Sequence, residues 1–189
     1  MIRIGILGAI GSGKSFIANK FGYPVFNADQ VVSELYKKDK KIFIKLKRKL
    51  PKYLNSFPID KDEITSAILA NKTNLKKIIY IVHNEVRKKL QIFLTKNKNK
   101  KIVILDIPLL LENKIYKKKD ILIFVQAKQK DILKRLKKRK NFNSKLINKF
   151  RKIQFKLDYK RKKSHFIIKN NFTNRFIKKD INVILKRFI

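Results

Sequence analysis

Apolar and polar positions along this chain fall into blocks of different period, and the changes of period mark its elements. The opening Ile2-Arg3-Ile4-Gly5-Ile6-Leu7 is an apolar run of strand length. The next segment, Ser15 to Phe21, takes up helical spacing until Gly22-Tyr23-Pro24 breaks it. Val25-Phe26-Asn27 reads as a short buried strand, and a helix is expected from Ala28-Asp29 through Leu35. From 37 to 55 the chain is highly charged and holds Pro51, which suits a helix and an exposed connection. Residues 59–71 and 73–95 read as two helices. In the second, Leu75, Ile78, Ile79, Val82, Val86 and Leu90 recur every three or four residues and predict one buried stripe. Residues 96–101 contain no apolar side chain and read as a loop.

Three continuous aliphatic runs follow: Ile102-Val103-Ile104-Leu105 ending in Asp106, Ile121 to Val125, and Phe166-Ile167-Ile168. Runs without alternation suit strands buried on both faces, as in a parallel sheet. Helical segments at 128–139 and 144–163 separate them, and a last helix is expected over 174–188. Strands alternating with helices predict an α/β fold with a parallel sheet and right-handed crossovers. The mostly helical interval 37–96 then reads as a cap over the strand ends, set into a single domain whose core is 1–36 and 97–189.

The first strand-to-helix turn carries the clearest chemistry. Gly8-Ala9-Ile10-Gly11-Ser12-Gly13-Lys14-Ser15 fits G-x-x-x-x-G-K-[ST] without a mismatch, between a strand and a helix. In that setting the glycines turn backbone N–H groups toward one concavity at the start of the helix, where an oligophosphate fits. Lys14 is expected to reach the β/γ-phosphates, and the Ser15 hydroxyl to take a position on Mg²⁺. A bare strand-to-helix turn that binds nothing is the bland alternative.

The formal net charge of +37 attracts polyanions in general. Its carriers are mostly lysines spread along the whole chain beside many Ile and Asn residues, a genome-wide compositional bias rather than a patch. Arg-rich clusters and an aromatic stripe of the RNA-binding type are absent, so nucleic acid is not the expected partner. The 189 residues contain no cysteine, which excludes disulfides, a thiolate nucleophile and a Cys-based zinc site. No apolar stretch has the length of a membrane span, and the apolar start runs straight into the glycine loop with no cleavage site. A cytoplasmic setting is the expectation.

Ligands of open α/β sheets bind at the carboxyl ends of the strands. Asn27-Ala28-Asp29 follows the second strand, and Asp106 ends the third. Asp29 is the candidate to orient an acceptor hydroxyl and take its proton, with a helix N-cap as the alternative. Asp106 either holds a Mg²⁺-bound water or caps the turn at Pro108. Arg135 and Arg139, four apart on the 128–139 helix, share a face. They are either a phosphate clamp or part of a solvated surface. His83 stands among apolar neighbours on the 73–95 helix, where a satisfied core or edge position is the ordinary reading.

Taken together these segments resemble the dephospho-CoA kinase family, along almost the whole chain. That family opens with G-x-x-G-S-G-K-S, matched at Gly8 to Ser15, and continues with D-A-D, matched as Asn27-Ala28-Asp29. Its I-D-R…L…V-F…H-P-x-V stretch is answered by Ile59-Asp60-Lys61, Ile64, Ile68-Leu69 and His83-Asn84-Glu85-Val86. V-x-D-I-P-L-L-x-E is met by Ile104-Leu105-Asp106-Ile107-Pro108-Leu109-Leu110-Leu111-Glu112, and R-L-x-x-R by Arg135-Leu136-Lys137-Lys138-Arg139, with Gln154 beyond it. The ending A-D-x-V-I-x-N is partly kept in Ser164-His165-Phe166-Ile167-Ile168-Lys169-Asn170. The departures are Phe16 for Thr, Asn27 for Asp, Lys61 for Arg, Asn84 for Pro and His165 for an acid. Lysine at 61 keeps the charge and loses the bidentate fork.

The resemblance implies a P-loop fold with a five-stranded parallel sheet, a helical substrate cap at about 37–96 and a small lid at about 128–155. It implies ATP and Mg²⁺ on the loop, at Gly11, Ser12, Gly13, Lys14, Ser15 and Phe16, with Ser15 toward the metal. Dephospho-CoA would meet Asp29, Lys61, His83 and Asp106, with Asp29, Lys14 and Arg139 carrying the transfer. A monomer or small homo-oligomer is expected. Two other readings stand beside it: a P-loop kinase of another small acceptor, such as a nucleoside monophosphate, and a basic nucleic-acid-binding protein with a vestigial loop.

Overall fold

The computed structural model describes residues 1–139 and 142–188. In chain order the first elements are β1 (Ile2–Gly8), α1 (Lys14–Lys20), β2 (Val25–Asn27), α2 (Ala28–Lys38) and α3 (Lys40–Lys49). Next come α4 (Lys61–Ala70), α5 (Lys72–Lys96), β3 (Ile102–Asp106), β4 (Ile121–Gln126) and α6 (Gln129–Lys137). The chain ends with α7 (Ser144–Ile153), α8 (Leu157–Lys162), β5 (Phe166–Lys169) and α9 (Asn174–Leu185). Two compact units result: residues 1–27 with 97–189, and the helical segment Ala28–Lys96.

The first unit holds the sheet. All five strands are parallel, in the order β2-β3-β1-β4-β5. β1 lies at the centre, with Ile4 opposite Ile104 on one side and Ile6 opposite Ile123 on the other. Ile4, Ile6, Ile102, Ile104, Ile123 and Ile168 are fully buried and pack with Ile17 of α1, with Phe21 just after it, and with Ile177, Ile181 and Ile184 of α9. Each such side chain contributes roughly 1.5–3 kcal/mol by leaving water. Burial on both faces accounts for the unbroken aliphatic runs.

In the second unit α5 packs against α2, α3 and α4. Leu75, Ile78, Val82, Val86 and Leu90 form its buried stripe, as the three- and four-residue spacing predicts. The Asp39 carboxylate accepts from the Ile42 N–H at 3.1 Å and starts α3, so the segment after α2 is helical before Pro51. Asp60 caps α4 in the same manner through the Asp62 N–H, which moves the expected start at 59 to Lys61.

Three helix expectations need correction. The segment 144–163 is two helices, because the chain turns extended at Gln154 and the Phe155 N–H bonds the Glu112 side chain instead of continuing the ladder. The 128–139 helix ends at Lys137, with Lys138 as its C-cap. Arg139 is thus beyond the helix, and the shared-face argument linking it to Arg135 does not hold. The last helix stops at Leu185 and goes on as turns.

Candidate active site

The glycine loop between β1 and α1 is closed by contacts from three other parts of its unit. Gly13, the N-cap of α1, has φ 91°, and a Cβ there would run into the Asn170 amide. Only glycine combines that conformation with that approach. Asn170 follows β5 and is 2% exposed; its Nδ2 donates to the Ser12 carbonyl at 2.8 Å while its Oδ1 accepts from the Phe172 N–H at 2.9 Å. A Cβ at Gly8 would lie 2.7 Å from the Val125 carbonyl of β4, which fixes how closely the loop leaves the sheet. On the third side, Leu136 and Ile132 of α6 pack onto Gly11.

Within this frame Lys14 curls over the loop. Its Nζ donates to the Ala9 carbonyl at 2.8 Å and the Gly8 carbonyl at 3.3 Å. Ser12 is fully buried, and its hydroxyl has no hydrogen-bond partner among the described residues. The Ser15 side chain lies beside the Asp106 carboxylate at the end of β3. Asp106 is 3% exposed and also accepts from Asn27 Nδ2 at 2.8 Å. Burial raises its pKa above the ordinary carboxylate value, while the neighbouring Ser15 hydroxyl and the Lys14 charge pull it back. Asn27 thereby acquires a role of its own: an aspartate at 27 would set a second carboxylate against Asp106, whereas the amide donates.

Ser15 and Asp106 are the residues of this site that could hold Mg²⁺. A serine hydroxyl beside a buried carboxylate at the mouth of a phosphate loop is the donor pair that P-loop enzymes use for Mg²⁺. Among the described residues no three His, Cys, Asp or Glu side chains cluster.

Phe16 is exposed, with the Lys20 ammonium 5.4 Å from its ring centre. Arg135 stacks its guanidinium 4.3 Å above the Phe172 ring, which itself borders Gly13. Arg139 is exposed past the end of α6, its N–H bonded to the Leu136 carbonyl. Asp29, Lys61 and His83 belong to the helical unit. Asp29 is exposed and second in α2, one residue inside the helix rather than at the cap position. As a first-turn acid it also favours the helix dipole. Lys61 is exposed and begins α4 directly after its cap Asp60, and His83 is half-buried on α5 next to Val82.

In the sequence Asn170 is only the end of a partly kept motif; its support of the loop, and the part played by Phe172, come from the fold. Nothing local distinguishes Asn170, which is buried, from Asn171, which is exposed.

The sheet order, the glycine loop with its lysine and serine, and the buried acid on the adjacent strand define a P-loop kinase. Comparison with known proteins narrows this. The family model for dephospho-CoA kinase matches residues 2–175. A dephospho-CoA kinase of Wolbachia pipientis wMel is 36% identical over 179 residues, spanning 92% of this chain and 91% of that protein. TT1252 from Thermus thermophilus superposes with a TM-score of 0.81 at 25% identity, covering 100% of this chain and 98% of that one. The dephospho-CoA kinase from Campylobacter jejuni shares the fold at a TM-score of 0.61 and 20% identity, over 98% of this chain and 96% of that one. The chain belongs to the dephospho-CoA kinase family. No helix among the described residues is long and apolar enough to cross a membrane.

Proposed function

We propose that this protein transfers the γ-phosphoryl group of ATP to the ribose 3′-hydroxyl of dephospho-CoA, giving coenzyme A and ADP. The observation that carries the reading is the complete phosphate loop beside buried Asp106, in a chain of this family. The 3′-oxygen bonds to the γ-phosphorus as the bond to the β,γ-bridging oxygen breaks, and the hydroxyl proton passes to Asp29. Lys14 gives up the Gly8 and Ala9 carbonyls for phosphate oxygens, which carry full charge and bind it more strongly. Ser15 and Asp106 would hold Mg²⁺, which when bound neutralises charge on the phosphates. Backbone from Gly11 to Phe16 receives the oligophosphate.

Asp29 stands last in the family's D-A-D triplet, and with Asn27 in the first place it is the carboxylate left to act as base. Lys61 and His83, at family motif positions, are assigned to dephospho-CoA, and segment 37–96 to covering it. Asp106 is assigned to orienting the acceptor as well as the metal. Segment 128–155 is assigned as a lid that brings Arg139 to the transferring phosphate; its residues 140 and 141 lie outside the described residues. A cytoplasmic enzyme, monomeric or a small homo-oligomer, completes the proposal.

The test is direct detection of coenzyme A from dephospho-CoA and ATP, alongside a panel of nucleoside monophosphates. Lys14→Ala should lower turnover about a hundred- to thousandfold, the roughly 3–4 kcal/mol of a lost transition-state donor, with the melting temperature kept. Turnover of a monophosphate in preference to dephospho-CoA would overturn the acceptor assignment; near-normal turnover by Lys14→Ala would overturn the loop assignment.

A further inference from the structure

The amino ends of the strands, opposite the phosphate loop, carry a feature that the kinase reaction does not use. Asp120 immediately precedes β4 and His165 immediately precedes β5, and between them opens a cleft of about 510 Å³. Its volume falls within the range of small-ligand sites. Lys114, Lys117, Lys118 and Lys163 line it, from the loop ahead of β4 and from the end of α8. Lysines are everywhere on this chain, so their number alone means little. What sets this place apart is that four of them border one concavity whose acid is already engaged.

That acid is Asp120, the one carboxylate of the lining. It is 4% exposed and accepts from Arg3 at 2.9 Å and from the Lys117 N–H at 2.8 Å. Arg3 also donates to the Ile115 carbonyl at 3.2 Å, so the same contacts pin the lysine-bearing loop. With its acid matched by Arg3, the cleft keeps the charge of its lysines. His165 adds a directed donor: its Nδ1 accepts from the Leu122 N–H at 2.9 Å, which leaves Nε2 to carry the ring hydrogen. Tyr116 supplies a half-buried aromatic wall. A concavity bordered by four exposed lysines and an imidazole, with its acid already paired, favours a compact and multiply charged oxyanion that the flexible lysine side chains can reach.

We infer that this cleft is a second anion site, separate from the phosphate loop, that binds an oligophosphate. The oligophosphate is either free or the tail of a nucleotide, and in the latter case the base stacks on Tyr116.

Calorimetric titration of the full chain with tripolyphosphate, at near-physiological salt, tests this. Two sites are expected in the native protein. Lys14→Ala should remove one, and Lys117→Gln/Lys163→Gln should weaken the other by about tenfold or more, since charge-assisted contacts are the strong ones. Lys178→Gln/Lys179→Gln on α9 takes away the same charge elsewhere and should leave both sites intact. ATP binding at the second site no tighter than tripolyphosphate, unaffected by Tyr116→Ala, assigns the free anion; tighter binding lost in Tyr116→Ala assigns a nucleotide. The inference fails if a single site disappears with Lys14→Ala, if the α9 pair weakens binding as much as the cleft pair, or if a short RNA but not tripolyphosphate depends on Lys117 and Lys163. Failure of the kinase reading would leave this result untouched, because the titration needs no turnover.

Discussion

Removing one partner of the buried ion pair at the α7–α8 break should be among the most damaging single changes outside the apolar core. Lys160 is 1% exposed, and its ammonium lies 2.8 Å from Glu112 Oε1. Its other polar neighbour, Gln154 Oε1, is at 3.5 Å and contributes little. The same Glu112 oxygen accepts the Phe155 N–H at 2.8 Å, and Oε2 is buried with no hydrogen-bond partner among the described residues. Lys160→Met therefore leaves a largely buried carboxylate without its counter-charge. Breaking a buried pair from one side costs about 3–5 kcal/mol. In a chain of this size each kcal/mol lowers the melting temperature by about 2–4 °C, so a fall of roughly 6–20 °C is expected. Glu112→Gln, which keeps an acceptor for the Phe155 N–H but strands the ammonium, should cost a comparable amount. The double variant removes both charges and should recover most of the loss, because a buried pair contributes little net stability over apolar groups of similar volume. Thermal and urea unfolding of the four proteins at pH 7 gives the coupling energy directly. A Lys160→Met protein within about 1 kcal/mol of native, or a double variant whose loss is the sum of the two singles, would refute the reasoning.

Asp106→Asn should separate stability from activity. Burial holds the Asp106 pKa up, so its ionised form is a cost above the ordinary carboxylate pKa, and removing the charge should leave melting at pH 7 unchanged or higher while Mg²⁺-dependent turnover collapses. By the same sign, native turnover should fall on acidification at a higher pH than an ordinary aspartate would give, which a pH–rate profile reads. Asn170→Ala leaves the Ser12 carbonyl without its donor and should weaken ATP binding, measured by titration, more than it lowers the melting temperature. Asp29→Asn should cut the maximal rate roughly 10²–10⁴-fold with ATP affinity preserved. Because Asp29 is exposed inside α2, little change in melting is expected, and a fully active variant would remove Asp29 as the base.

Much of this protein follows from short stretches of its sequence. The aliphatic runs at 102–105 and 121–125 suit strands buried on both faces, and the α5 stripe from Leu75 to Leu90 has the spacing of one side of a helix. Both patterns arise because neighbouring side chains must share one environment, and that is a local property. The phosphate loop is equally local, since its glycines, Lys14 and Ser15 lie within one turn of chain. Polar pairings in the interior are different. Asn27 with Asp106 and Asn170 with Ser12 join residues 79 and 158 positions apart. No periodicity announces them, because a buried polar group is satisfied by whichever partner the closed fold brings within reach. The break after Ile153 is of the same kind: helical spacing runs through 144–163, and only a carboxylate arriving from the end of the Asp106 segment takes the Phe155 N–H out of the ladder. Local chemistry decided which segments are strand, helix and phosphate loop; long-range closure decided which buried polar groups hold that loop in shape.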